Sequence, residues 1–260
     1  MTITDTTAPT TAPQRLAWLE DPGRDFPFYD GAPVALSAGQ WGFVMAAVAA
    51  GFLMLALPLP WPPGPLGALM PAILFPLLPL AALARVAPRH WRVIFGPVGG
   101  REWRLMLGYA LLNIVVSMSV GAIVGALTEV TPNAATAQLA GLDLAGRLAF
   151  FGKTLPQLLG EELITVLPFL ALMHLFAKRF GAGRRAALIG AWLVSSALFG
   201  LVHLPTYDWN LVQCLVIIGC ARLVLTLPWI LTKNLWVSTG AHILNDWLLF
   251  SMSLLGAAHR

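Results

Sequence analysis

From Trp41 to Ala84 the chain contains no Asp, Glu, Lys or Arg. A helix crosses the hydrocarbon of a bilayer with about 20 apolar residues, so this tract alone is long enough for two crossings. A second charge-free tract runs from Leu105 to Thr128, and further apolar stretches follow. Composition agrees: 58% of the residues are hydrophobic and 11% are charged, whereas a soluble domain carries about a quarter charged residues. The chain is therefore read as an all-α polytopic integral membrane protein with about seven transmembrane helices.

The breaks between spans are written in proline, glycine and arginine. The run from Pro58 to Pro65 removes backbone donors and forces a turn. It separates span one (Trp41–Leu57) from span two (Leu66–Ala84). A loop bearing Arg85, Arg89, Arg92, Arg101 and Arg104 precedes span three (Leu105–Leu127). Residues 128–147 are polar, and a short helix is expected from Leu142 to Gly152. Pro156 suits a first helical turn, which starts span four there and ends it near Ala177. Spans five (Ala186–Leu204), six (Trp209–Leu231) and seven (Leu235–Leu255) complete the set. Residues 1–40 are Thr/Pro-rich and are expected to form a flexible leader, with the membrane domain covering 41–256.

Basic residues concentrate in the loops at 85–104 and 178–185. Such loops stay in the cytoplasm, which places the N-terminus there too and suggests a bacterial cytoplasmic membrane. The net charge of +4 is spent on this asymmetry, and nothing points to nucleic acid. Cys214 and Cys220 lie in an apolar stretch at no metal or redox spacing and read as packing residues.

Ionisable side chains in hydrocarbon are costly and therefore informative. Glu161 and Glu162 sit side by side in span four. Adjacent helical residues point about 100° apart, so one carboxylate can face a cavity while the other bonds a neighbouring helix. Phe199 and His203, four apart in span five, share a face. In span seven His242 and Asp246 share a face, with Asn245 beside them. A neighbouring carboxylate or amide fixes the orientation of a histidine ring. Arg222 stands inside span six and must pair or snorkel.

These residues resemble the CAAX protease and bacteriocin-processing family of intramembrane proteases, also called the Abi family. Its pattern is E-E-x-x-x-R, then F-x-x-x-H, then H-x-x-x-N or H-x-x-x-D. Here the three parts are Glu161-Glu162 through Val166, Phe199 to His203, and His242 to Asp246. The likeness covers residues 145–256. Val166 stands where the pattern has arginine, and Arg222 is the candidate to supply that charge from span six.

The resemblance implies an endopeptidase acting on a peptide or membrane-protein substrate in the lipid bilayer. It implies that Glu161 and His203 activate a water, with Glu162 nearby. His242, with Asn245 and Asp246, would orient and stabilise the reacting carbonyl. An ionised Asp246 is a poor donor to an oxyanion; it is either protonated, replaced in that task by Asn245, or limited to orienting His242. No cofactor is expected to be required. Zinc on two histidines and a glutamate is the alternative, although H-E-x-x-H is absent from the sequence. Two other classes compete: a catalytically silent peptide-binding or bacteriocin-immunity protein, and a small transporter relaying protons through Glu161, Glu162 and Asp246.

Overall fold

A computed structural model describes residues 15–258, and among them all regular structure is helical. The helices are α1 (Ala38–Ala56), α2 (Pro65–Val86), α3 (Gly100–Leu127), α4 (Ala134–Ala140), α5 (Leu144–His174), α6 (Arg184–Val202), α7 (Gly219–Thr232) and α8 (Leu235–Ala258). Six helices are long and apolar enough to cross a membrane. These are α1, α2, α3, α5 with its extension to Arg179, α6, and α7 with the π-helical turn Gln213–Ile218 that leads into it. The remaining long helix is α8, with 24 residues. It carries the histidine, asparagine and aspartate of the third motif and packs on α3, α5 and α7; those polar residues leave it outside the six helices apolar enough to cross, against the seven expected. The all-α polytopic architecture matches the expectation.

Span four differs. One continuous helix of 31 residues replaces the expected short helix and later start. Asp143 caps it, accepting the Gly146 amide at 2.8 Å. Pro156 and Pro168 lie inside it. A proline costs an interior helix one hydrogen bond, and membrane helices tolerate this where neighbours pack against them. The earlier start matters for function, because it moves Glu161 from near a helix end to past the midpoint of α5. The short helix α4 is a further element that apolar periodicity did not reveal.

The expected leader also differs. Residues 1–14 lie outside the described region. Residues 15–36 pack against the Arg-rich end of the bundle, burying Leu19, Phe26, Phe28, Tyr29 and Leu36. Phe26 lies against Phe169 and Trp229. The Asp21 amide bonds the Leu231 carbonyl at 3.1 Å, and Arg24 bonds the Val93 and Phe95 carbonyls. Composition misses this because the segment docks on a core built by other helices and need not fold alone. Cys214 and Cys220 are free, and Cys214 is fully buried.

The docked segment brings a carboxylate with it. Glu20 is buried and meets Arg184 at 2.8 Å and Lys233 at 3.1 Å. Arg184 opens α6 and also bonds Asp25 at 2.6 Å, while Lys233 forms the left-handed turn between α7 and α8. Both cations lie near the Phe26 ring, at 5.5 and 4.7 Å. Burial alone would push the Glu20 carboxyl upward. The Arg184 hydrogen bond, the Leu16 amide and the two positive charges outweigh it and hold the group at about 2.

A depressed carboxyl stabilises the fold above its ordinary value, here 4.5, and that contribution fades as pH drops toward 2. Acidification through this window should therefore release the 15–36 segment, seen as new proteolytic cleavage there. Glu20→Gln should produce the same release at neutral pH. It leaves Lys233 buried without its carboxylate and should cost about 3 kcal/mol, on the scale of breaking buried pairs; a thermal melt in detergent measures it.

Candidate functional site

The paired glutamates split their tasks as helix geometry requires. Glu162 is fully buried and turns toward α7 and α8. Its Oε1 accepts from Arg222 Nη1 at 2.7 Å and from His242 Nδ1 at 2.9 Å. Arg222 is fully buried as well, with Nε donating to Thr226 at 3.2 Å. The arginine charge absent at position 166 thus comes from α7. Val166 itself is buried among Leu163, Phe169 and Leu170 in the apolar core.

Glu161 faces the other way, into a cavity of about 640 Å³. Gln157, one turn earlier, donates to its Oε1 at 3.1 Å. Its Oε2 lies 3.8 Å from His242 Nε2, beyond hydrogen-bond length but within reach of a bridging group. Gly160, just before, lets α2 approach: a Cβ there would sit 2.4 Å from the Phe75 ring. Phe75 and Phe52 form an apolar wall of the same cavity.

His203 closes α6 as its C-cap. Its Nδ1 lies 2.7 Å from the Phe199 carbonyl. A carbonyl only accepts, so Nδ1 carries the proton and Nε2 is left with a lone pair. Gly200 permits this placement, since a Cβ there would stand 2.4 Å from the Cys214 carbonyl in the π-helical turn. The Phe199 ring lies 4.6 Å from the His203 ring and 6.4 Å from His242.

On α8, His242 is fixed through Nδ1 by Glu162, and Nε2 lies 3.7 Å from Asp246 Oδ1. Asn245 donates to Asp246 at 2.9 Å and accepts from Asn113 of α3 at 3.0 Å. Glu161, His203, His242, Asn245 and Asp246 all line the one cavity, and Glu162 stands behind His242. His242 lies early in α8 yet reaches Glu162, because the turn before it is sunk: Lys233 and Asn234 are buried under the docked segment.

Three residues that sequence reasoning did not single out belong to the site. Asn113 is the one amide in the tract 105–128, a signal available to sequence reading. Gln157 is four residues before Glu161, so helical spacing pointed to it. Tyr207 follows α6 in a 3-10 turn, accepts from Asn133 and lines the cavity. Burial, then the nearby Asp246, Cys214 and Glu161, pushes its phenol up to about 12, so it keeps its proton at neutral pH. Among the described residues no group of three or more His, Cys, Asp or Glu is arranged to hold a metal ion.

These features define a class: a polytopic helical membrane protein whose ionisable side chains converge on an internal cavity. Residues 146–248 match the family model for Rce1-like proteins, type II CAAX prenyl endopeptidases, the family that the three motifs resemble. The matched stretch contains every motif residue, and the family is one of proteases. Asn113, Phe52, Phe75 and the docked segment lie outside it. No curated protein and no solved structure matches the chain.

The Asn113–Asn245 bond predicts a measurable cost. Asn113→Leu strips the buried Asn245 carbonyl of its donor, and an unsatisfied buried polar group costs about 1–3 kcal/mol. The melting temperature of the purified protein should fall, while Asn113→Gln should fall less.

Proposed function

We propose that this chain is an intramembrane endopeptidase that hydrolyses a peptide bond with a water activated by Glu161 and His203. The observation that carries the reading is the pair of acceptors facing one cavity. Glu161 has one oxygen held by Gln157 and the other turned inward. His203 has its Nδ1 proton engaged by a carbonyl and its Nε2 lone pair left over. A water between them can donate to both, which orients its oxygen toward a substrate carbonyl and raises its nucleophilicity.

In the reaction the water oxygen bonds to the carbonyl carbon and Glu161 takes one water proton. The tetrahedral oxyanion forms beside His242 and Asn245. Asn245 has a second amide hydrogen beyond the one given to Asp246, and it is the donor suited to a developing charge. Asp246 then holds Asn245 and faces His242 without itself donating. Collapse breaks the C–N bond, and the proton on Glu161 passes to the leaving amine. The products are a new carboxyl and a new amine, and no metal or cofactor enters these steps.

The substrate is a peptide or membrane protein whose cleavage segment reaches the cavity from the bilayer. A prenylated CAAX chain is the substrate in the family's name, and the Phe52–Phe75 wall suits an apolar group. We infer that the Arg-rich end and the N-terminus face the cytoplasm, following the charge bias of the loops.

Glu161→Gln and His203→Ala should each lower cleavage by about 100-fold or more, the scale of general-base catalysis, with membrane insertion intact. Gln keeps shape and hydrogen bonding but cannot take the proton. A chelator should leave the wild-type rate unchanged; inhibition reversed by added Zn²⁺ would point to metal chemistry instead. A peptide-binding or immunity protein would keep its cellular phenotype in Glu161→Gln.

A further inference from the structure

We propose that Arg222 is a positioning residue for this reaction, acting on both histidines from a helix that carries none of the three motifs. The inference rests on the hydrolytic reading above. Arg222 reaches His242 through one oxygen: Arg222 Nη1 and His242 Nδ1 both donate to Glu162 Oε1, at 2.7 and 2.9 Å. It reaches His203 through a ring: its guanidinium lies 5.0 Å over Phe199. That ring is 4.6 Å from His203, and the Phe199 carbonyl holds the His203 Nδ1. Thr226 braces the guanidinium through Nε and bonds the Arg222 carbonyl.

The chemistry asks for such a residue. A carboxylate behind a histidine fixes which ring nitrogen carries the proton and where the other points. A carboxylate buried in a membrane needs its own countercharge to stay ionised and in place. A guanidinium meets both demands because it is planar, permanently charged and able to stack on an aromatic face while donating at its edge. Lysine has the charge without the plane, so it can hold Glu162 but cannot also brace Phe199. Arg222 contacts no reacting atom in this scheme; it sets the directions of the groups that do.

The test uses full-length protein in liposomes and one quenched-fluorescence peptide that wild type cleaves and Glu161→Gln does not. Arg222→Met, Glu162→Gln and their double variant form a cycle. Arg222→Met and Glu162→Gln should each reduce kcat by about 100-fold with KM nearly unchanged. The double variant should be no slower than either single, because both act on one unit. Arg222→Lys should recover part of kcat with an altered pH–kcat profile. Effects that multiply in the double variant, or an Arg222→Lys profile superimposable on wild type, would overturn the proposal.

If Arg222→Met does not accumulate, the lysine variant decides. A readout without turnover keeps this apart from the proposed activity. The imidazole ¹⁵N resonances of His203, assigned by their loss in His203→Ala, should shift in Arg222→Lys. Unshifted resonances would refute the positioning role even if the protein cleaves peptides. Shifted resonances in a protein that cleaves nothing would leave the positioning intact and remove the hydrolytic reading.

Discussion

A single carboxylate inside the membrane, Glu162, sets the geometry of the site. An ionised group in hydrocarbon costs a few kcal/mol by insertion scales and far more when left wholly unpaired. The chain answers with Arg222 from α7 and His242 from α8, both on one Glu162 oxygen. Three helices are thereby tied at one depth. Once Glu162 faces inward between them, helix geometry turns Glu161 about 100° away, and that direction is the cavity. The opposite directions of the two glutamates follow from their adjacency and not from any difference in residue type.

A second buried ion cluster, at the Arg-rich end, secures α6 and α8. Glu20 on the docked segment holds Arg184 at the start of α6 and Lys233 just before α8. Those helices carry His203 and His242. Sinking the Lys233 turn into the bundle brings His242, early in α8, level with a glutamate past the midpoint of α5.

Much of this was legible before any coordinates. Charge-free tracts bounded by Pro58–Pro65 and by arginine loops disclosed the long helices, because a bilayer enforces length and apolarity on each crossing. The cost of intramembrane charge singled out Glu161, Glu162, His242, Asp246 and Arg222. What escaped depended on tertiary docking. Residues 15–36 look too polar to fold, yet they bury Phe26 and Phe28 against a surface made elsewhere. Pro156 reads as a helix start, yet Asp143 caps the helix thirteen residues earlier. Asn113, Gln157 and Tyr207 carry too little local signal on their own; the contacts that recruit them join α3, one turn of α5 and the loop after α6.

The central claim is that an activated water attacks a peptide bond in this cavity, and isotope labelling reads that event itself. Purified protein in liposomes is incubated with a peptide library in H₂¹⁸O, and products are resolved by mass spectrometry. The account predicts internal cleavage products whose new C-terminal carboxyl carries one ¹⁸O. Peptides that emerge intact, with no labelled carboxyl after prolonged incubation with correctly folded protein, would contradict it.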